Sequence, residues 1–404
     1  MDQNEKDFEQ ELATLVARMQ RQGKKTLGTL AEKVEQWAVE ANEQWNDFSA
    51  KVEEAIRVEE AKDKAAEAAE AAEAASYEAS ACKKTAFEAA ACKTTGESRN
   101  LAWGEALDPD KDPFPHLNQA MFNVATPYQE ADLVYFGAPW DSTVSYRPGS
   151  RFGPQGVRSV AFGGGIETYS PYQDADLEDH PICDGGDLAL PFGMAEETMA
   201  RLEATVTRLL ADNKKFIMIG GEHSLTQAPF KACLAKYPDL EMLHFDAHAD
   251  EMPALFENKY SHGSVMRRCW EMQGVDKKVH SFGIRSAEKA EWAFSQAHID
   301  FHPFSLNAFA GVCEELAEKK VPVYLSLDLD VLDPSAFPGT GTPEPGGASF
   351  SELLKALLAL GRTGLAKQVV GADIMELAPD YDLSGCSSML AAKVLRELTL
   401  LMLG

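Results

Sequence analysis

From Ala131 to the end of the chain, short apolar runs alternate with longer amphipathic stretches. The clearest apolar runs are ADLVYFGAP (131–139), KFIMIGG (215–221), EMLHFDAH (241–248), KVHSFGIR (278–285), PVYLSLDLD (322–330) and QVVGADIMEL (368–377). The segment 194–213 between two of these runs places its apolar residues at helical spacing. Repeated alternation of strand and helix predicts a parallel sheet that helices cover on both faces. We therefore expect an α/β fold, with three αβα layers and a mostly parallel central sheet.

The amino-terminal part of the chain follows a helical pattern instead. Apolar residues recur at steps of three and four from Phe8 to Met19 and again from Leu27 to Ala55. Residues 61–92 then become rich in Ala and Glu, which favours helix but offers little apolar surface to bury. The pattern predicts a helical extension over residues 1–95, in the form of a coiled coil or a helical hairpin.

Pro and Asp clusters then predict a loop-like linker over residues 96–130, so that the main domain spans 131–404. In the extension, Trp37, Trp45 and Phe48 share one predicted helical stripe, and such aromatic residues are costly to leave in water. We expect the extension to serve oligomerisation or packing.

Composition excludes several classes of protein. A net charge of −26 argues against a nucleic-acid or anionic-membrane surface and favours a small cationic substrate. The sequence has no apolar run of about 18 residues, so no membrane span is expected. The polar, acidic start of the chain is unlike a secretory signal, and the 7 cysteines include no CxxC pair. These features predict a cytoplasmic protein.

Acidic and histidine residues follow three of the predicted strands. His223 lies just after KFIMIGG, the sequence Asp246-Ala247-His248-Ala249-Asp250 follows EMLHF, and Asp328-Leu329-Asp330 follows PVYLS. Alternate residues of an extended chain point to one side, so the members of each cluster can face one point. Carboxylates at the ends of buried strands are unfavourable unless a cation accompanies them. Four carboxylates and two imidazoles fit two divalent ions that share bridging ligands, and oxygen-rich ligands suit manganese.

A pair of divalent ions makes hydroxide available near neutral pH and directs it at an electrophilic carbon, which is hydrolysis without a protein nucleophile. The sequence contains no GxSxG elbow and no GxxxxGK[ST] phosphate loop. The glycines of FGGGI (162–166) lack the strand–helix context of a dinucleotide-binding motif, so a plain loop is expected there.

Several motifs resemble, in order, the signatures of the ureohydrolase (arginase/agmatinase) family. They are GAPWDSTVSYRPGSRFGPQGVR (137–158), GGEHS (220–224), DAHAD (246–250), SLDLDVLDP (326–334), GTGTPEPGG (339–347) and DIMEL (373–377). The similarity covers roughly residues 115–404 and is closest to the agmatinase branch, whereas the first hundred residues match nothing in the family. The combination is highly specific, and it implies an arginase-like fold and a trimer or hexamer.

The resemblance also implies roles for individual residues. The implied ligands of two Mn²⁺ ions are His223 and Asp250 on one ion, His248 and Asp330 on the other, and Asp246 and Asp328 bridging both. Asp250 would also hydrogen-bond the attacking hydroxide, Glu376 would pair with the substrate guanidinium, and His262 would shuttle the proton to the leaving amine. Nickel is the alternative metal, because guanidine hydrolases of this family can prefer it.

The expected reaction is hydrolysis of agmatine to urea and putrescine. Arginases follow DAHxD with polar residues that hold a carboxylate, whereas Asp250 precedes Glu251-Met252-Pro253. An acid at Glu251 would repel a substrate carboxylate and tolerate a cationic tail. Guanidinobutyrate, guanidinopropionate and guanidine remain alternative substrates. A non-catalytic, metal-stabilised scaffold carrying an oligomerising arm, and a zinc deacetylase of related fold, remain alternatives of other classes.

Overall fold

The computed structural model describes residues 120–162 and 165–404. The predicted helical extension, its coiled coil, its aromatic stripe and the linker up to residue 119 lie outside the described residues. So do the first two of the three glycines of FGGGI, while Phe162 and Gly165 on either side of them form bends in a loop, as expected. The described chain begins with a short 3₁₀ turn, Met121–Asn123, in which Met121 and Phe122 are buried.

Eight parallel strands form the central sheet of the described chain. In chain order the ten described strands are β1 Leu133–Ala138, β2 Tyr169–Ser170, β3 Ala175–Asp176, β4 Ile182–Asp187, β5 Lys215–Gly220, β6 Glu241–Phe245, β7 Val279–Phe282, β8 Asp300–His302, β9 Val323–Asp328 and β10 Val369–Met375. Their order across the sheet is β4-β1-β5-β10-β9-β6-β7-β8, while β2 and β3 form a separate small hairpin. The expected parallel sheet is confirmed, and each of its pairings is parallel.

Helices cover both faces of this sheet. They are α1 Gly153–Ala161, α2 Ala195–Ala211, α3 Gln227–Lys236, α4 Val265–Gln273, α5 Lys289–His298, α6 Phe309–Lys319, α7 Phe350–Thr363 and α8 Cys386–Leu403. Ile217 and Ile219 of β5 enter one core with α1, α6, α7 and α8. Phe216 and Met218 enter a second core with α2, α3 and α4. Because strand residues alternate between faces, one apolar strand supplies both cores, which gives the three αβα layers.

Local signals in the sequence set the limits of the helices. α7, for example, begins with a capping box in which Ser349 Oγ accepts from the Glu352 N–H at 3.3 Å. It ends at Gly364, whose φ of 78° lies in the left-handed region that favours glycine. No helix in the described part of the chain combines the length and apolar character that crossing a membrane requires.

Two strands of the sheet were not evident from the sequence. β4 has the sequence ICDGGD, whose glycines and aspartates are typical of a loop, and β8 is only 3 residues long. Both lie at the edges of the sheet, where a strand pairs on one side only and needs less apolar surface. Asp184 in β4 is stabilised by Arg158, whose Nη2 lies 3.0 Å from Asp184 Oδ1.

The strand order determines where chemistry can occur. β5, β10, β9 and β6 are neighbours in the middle of the sheet, and the carboxyl ends of parallel strands meet at one edge. His223 follows β5, Asp246 follows β6, Asp328 ends β9 and Glu376 follows β10. The clusters that are distant in sequence therefore converge at one place.

A separate buried ionic cluster lies near the amino-terminal ends of β6, β7 and β8. His280 Nε2 lies 2.8 Å from Glu241 Oε2, and His280 Nδ1 lies 2.7 Å from Asp300 Oδ2. Burial opposes the charge of His280, but hydrogen bonds to Asp300 and Glu241 raise its pKa above the ordinary value. Burial opposes the charge of Asp300 too, but its hydrogen bonds with His280 and His302 hold its pKa below the usual range.

We expect this cluster to make stability fall as the solution becomes alkaline. A raised folded-state pKa means that His280 contributes fully below its unfolded pKa of about 6.5, and that the contribution is lost as pH rises through the folded value. The variant His280→Gln should unfold with a free energy lower by about 1–3 kcal/mol near pH 6, and by less near pH 9. Urea denaturation at both pH values measures the difference. If His280→Gln lowered the free energy of unfolding equally at pH 6 and pH 9, the raised pKa of His280 would be contradicted.

Candidate metal centre

The imidazole of His223 lies against three carboxylates at the centre of the site. His223 Nδ1 is 3.0 Å from Asp246 Oδ2, 3.2 Å from Asp250 Oδ2 and 3.3 Å from Asp328 Oδ2. All four residues are buried, with exposed fractions of at most 7%. Residues from the ends of β5, β6 and β9 thus place their ligand atoms around one point.

A second group of ligand atoms adjoins the first and shares Asp246. His248 Nδ1 lies 3.0 Å from Asp330 Oδ2 and 3.5 Å from Asp246 Oδ1. The ligand atoms of these three residues lie within 4.8 Å of one another. The shared carboxylate joins the two groups, which is the arrangement that a pair of metal ions with a bridging ligand requires.

Backbone N–H groups hold three of the carboxylates in place. One oxygen of Asp246 accepts from the His248 N–H at 2.6 Å, and one of Asp328 accepts from the Asp330 N–H at 2.9 Å. Asp330 Oδ1 accepts from the Ala247 N–H at 3.0 Å. In each residue the other oxygen, Oδ2, faces an imidazole nitrogen. Backbone hydrogen bonds therefore fix one oxygen of each carboxylate and leave the other oxygen facing the centre, as preorganised metal ligands require.

His223 Nδ1 provides a test of whether these residues suit a cation. The nitrogen is buried, and the angles leave it without a hydrogen bond despite its three short contacts to carboxylate oxygens. Burial opposes the charge of His223, but the three surrounding aspartates raise its pKa well above the ordinary value. Such a position calls for positive charge, from a proton or a metal ion. The donor set of carboxylates and imidazoles fits divalent ions.

The carboxylates also repel one another. Burial and the nearby Asp246 raise the pKa of Asp250 to about 7. Burial and the neighbouring Asp330 and Asp246 raise the pKa of Asp328 well above its ordinary value. Asp250 and Asp328 therefore do not both ionise easily without added positive charge, which two divalent ions would supply.

His244 belongs to the site but was missed in the sequence. It lies within β6, fully buried, with Nε2 3.0 Å from Asp246 Oδ2 and Nδ1 3.0 Å from Ser281 Oγ. Burial lowers the pKa of His244, so it is neutral and holds Asp246 by a hydrogen bond. The signal was present in HFD, because residue 244 shares a strand face with Asp246 two positions later.

Glu376 approaches the centre from β10. Its Oε1 accepts from the His223 N–H at 2.7 Å. Burial and the neighbouring Glu222 raise its pKa well above the ordinary value. Asp250 and Glu376 have backbone φ angles of 54° and 63°, which lie in the left-handed region that residues other than glycine rarely adopt. Such backbone strain is concentrated at functional sites.

A cleft of about 420 Å³ opens beside the cluster. His248, Asp250 and His262 line it. His262 Nε2 lies 3.0 Å from Ser145 Oγ, and the Ser145 N–H donates to it at 3.2 Å. Burial and repulsion from His248 lower the pKa of His262 to about 4. The structure thus brings every sequence-predicted metal and catalytic residue to one site: His223, Asp246, His248, Asp250, His262, Asp328, Asp330 and Glu376.

The interpretation of Glu251 was wrong. We expected its carboxylate to face the substrate tail, but the residue is only 2% exposed. Glu251 Oε2 accepts from Ser295 Oγ at 2.5 Å, and burial raises its pKa to about 8. The left-handed turn at Asp250 directs Glu251 into the protein rather than into the cleft. Glu288 and Glu291 line the cleft instead.

Comparison with known proteins gives consistent matches. The family model described as "Arginase family" matches residues 131–401. An agmatinase of Bacillus cereus is 42% identical over 276 residues, which is 68% of this chain and 92% of the relative. A proclavaminate amidinohydrolase of Streptomyces clavuligerus is 36% identical, covering 66% of this chain and 87% of the relative. The solved agmatine ureohydrolase of Thermoplasma volcanium is 31% identical, with a TM-score of 0.63, and covers 70% of this chain and 94% of that chain.

Proposed function

This chain belongs to the arginase family, and on that premise we propose that it hydrolyses agmatine to urea and putrescine. One observation carries the proposal: the carboxylates of four aspartates converge around the Nδ1 atoms of two histidines, His223 and His248. The identity to agmatinases supports agmatine over other guanidino substrates. Family membership decides against the zinc deacetylase alternative.

The six aspartate and histidine residues would hold two manganese ions, with nickel as the alternative. His223 and Asp250 would bind one ion, His248 and Asp330 the other, while Asp246 and Asp328 would bridge them. When bound, the ions make hydroxide available at neutral pH and polarise the group under attack. A carboxylate-rich set with two imidazoles favours manganese over zinc.

The chain's own residues would orient the substrate. Glu376 reaches the centre from β10, and its carboxylate would pair with the planar guanidinium through forked hydrogen bonds. Asp250 would accept a hydrogen bond from the attacking group and stabilise the tetrahedral species that follows. His262, at the cleft wall, would carry a proton to the departing amine. Cleavage of the bond between the tetrahedral carbon and the protonated amine nitrogen would then release urea and the amine.

The cleft suits a substrate whose tail is a short apolar chain that ends in a cationic group. Met252 and Leu255 contribute apolar side chains to its lining, and Glu288 contributes a carboxylate that is exposed in the described structure. A tail with methylene groups and a terminal ammonium would match this lining. A carboxylate on the tail would face the charge of Glu288 and would be disfavoured.

A substrate panel tests the proposal. Urea release is measured with manganese and, separately, with nickel, on agmatine, arginine, guanidinobutyrate, guanidinopropionate and guanidine. We expect the highest kcat/KM with agmatine and manganese. A higher kcat/KM on another guanidino compound would overturn the substrate assignment. Turnover of none of them by the metal-loaded protein would favour the scaffold alternative.

Replacement of His262 tests the proton-transfer step. We expect His262→Asn to lower kcat for urea release by about 10²-fold or more, because general acid–base catalysis contributes factors of that size. KM should change little, because the ring would act after binding. Ser145→Ala, which removes a hydrogen-bond partner but keeps the imidazole, serves as the matched control and should lose much less. Equal losses in both variants would contradict the role.

The remaining expectations complete the proposal. A cytoplasmic location, a trimer or hexamer, and a coiled-coil extension over residues 1–95 stay predictions. The oligomerising role of the extension is tested by light scattering, which compares the mass of the full chain with that of a chain lacking residues 1–95. Retention of the native mass would contradict an oligomerising role for the extension.

A further inference from the structure

A chain of hydrogen bonds leads away from the metal centre on the far side of His223. His223 Nε2 lies 2.9 Å from Ser326 Oγ, and Ser326 Oγ lies 2.8 Å from Asp373 Oδ1. The other oxygen of Asp373 accepts from the hydroxyl of Tyr324 at 2.6 Å. All four residues are at most 1% exposed. None of Ser326, Asp373 and Tyr324 has a part in the proposed reaction.

The sheet register places these residues side by side. Asp373 of β10 pairs directly with Ser326 of β9, and Tyr324 lies two residues earlier on the same face of β9. Neighbouring strands therefore bring the carboxylate and both hydroxyls together. His223, just after β5, approaches from the other side of β10, which is the strand between β5 and β9.

The direction of the hydrogen bonds follows from the donors available. The carboxylate of Asp373 accepts from the hydroxyls of Tyr324 and Ser326. Ser326 has one hydroxyl proton, and donating it to Asp373 leaves Oγ able to accept only. His223 must then donate from Nε2–H. The proton on Nε2 is fixed, so the lone pair of Nδ1 is the one directed at the aspartate cluster.

We propose that Asp373, acting through Ser326, is a positioning residue that fixes the Nε2–H tautomer of His223 and so presents Nδ1 to a metal ion. The inference rests on the metal centre of the proposed function. Histidine ligands commonly donate their second ring N–H to a neighbouring acceptor, which fixes the ring and strengthens the ligand. Ser326 transmits this effect from a carboxylate that does not itself touch the ring.

Asp373 is a fully buried carboxylate that accepts hydrogen bonds from two hydroxyl groups. A buried carboxylate is unfavourable unless it is well hydrogen-bonded. Burial raises the pKa of Asp373, whereas the nearby His223 and the hydrogen bonds from Tyr324 and Ser326 oppose that rise. A further hydroxyl, Thr226 Oγ1, lies 3.5 Å from Ser326 Oγ. No apolar residue could replace Asp373 without leaving two buried hydroxyls without an acceptor.

Metal affinity tests the proposal without reference to substrate. Manganese binding is measured by chelator competition for the full chain and for Ser326→Ala and Asp373→Asn. We expect both variants to bind the ion that His223 would hold about 10- to 100-fold less tightly, the size of effect seen for residues that support metal ligands. In Asp373→Asn, the amide can donate to Ser326 and reverse the hydrogen bonds, which favours the wrong tautomer.

Two control variants separate positioning from folding. Tyr324→Phe removes the other donor to Asp373 but keeps the Ser326 hydrogen bonds, so its metal affinity should be unchanged. Ser326→Thr keeps the hydroxyl and should restore tight binding. Thermal unfolding in excess chelator shows whether each variant folds without metal.

The outcomes are distinct. Weakened binding in Ser326→Ala and Asp373→Asn, restored in Ser326→Thr and accompanied by recovery of kcat at high manganese, supports the proposal. Unchanged metal affinity in Ser326→Ala and Asp373→Asn overturns it. An equal loss in Tyr324→Phe, or a loss matched by unfolding in chelator, also overturns it. If the unsubstituted chain binds manganese but does not turn over agmatine, the proposed function is contradicted, whereas this inference is still decided by the metal affinities of the variants.

Discussion

Asp328→Asn is expected to lower kcat for urea release by on the order of 10³-fold and to weaken binding of both metal ions. In the proposed arrangement Asp328 is a bridging ligand, and its Oδ2 lies 3.3 Å from His223 Nδ1. Asparagine has nearly the same shape and can still accept the 2.9 Å hydrogen bond from the Asp330 N–H. The substitution therefore removes charge while it preserves the local fold.

Asp333→Asn is the matched control for this substitution. Asp333 belongs to the same segment, but its carboxylate holds the Ser335 and Gly346 N–H groups and does not face the cluster. We expect it to keep its manganese content and its kcat. Metal content by mass spectrometry and urea release at saturating agmatine measure the pair. Full activity in Asp328→Asn, or an equal loss in Asp333→Asn, would contradict a bridging role.

Glu376→Gln is expected to lower kcat/KM for agmatine without loss of metal. Truncating one partner of a buried charge pair costs about 2–5 kcal/mol, which corresponds to about 30-fold to several thousand-fold. Glutamine keeps an oxygen that can accept from the His223 N–H, now 2.7 Å from Glu376 Oε1. The loss should therefore reflect substrate recognition rather than a displaced metal ligand.

Asp380→Asn provides the comparison, because this exposed acid lies four positions away and outside the cleft lining. It should leave kcat/KM unchanged. The measurements are the agmatine dependence of the initial rate and the manganese content of each variant. A Glu376→Gln variant that retains the full kcat/KM would show that another group recognises the guanidinium.

Much of the site was predictable from where residues lie relative to strands. Asp246 and Asp328 occur at the ends of apolar runs, and the alternation of a strand fixes which neighbours share a face. The three-layer fold followed from the same runs, because apolar residues on both sides of a strand require helices on both faces. The runs did not give the strand order, since pairing between distant strands depends on packing of the whole sheet.

The errors have physical causes too. Ser326 and Asp373 lie inside apolar runs, and each has its partner on a strand that is distant in sequence, so no local signal in the sequence indicated the contact between them. Glu251 was assigned to the cleft from adjacency alone, but the left-handed backbone at Asp250 turns it inward. Local sequence gave little sign of that turn, because aspartate adopts the left-handed region far less readily than glycine.

Anomalous X-ray scattering from crystals grown with manganese would locate the metal ions relative to the aspartates and histidines of the site. We expect two manganese peaks per chain at the carboxyl edge of the sheet, one beside His223 and one beside His248, with Asp246 and Asp328 between them. A single peak, or manganese bound away from these side chains, would contradict the two-metal site.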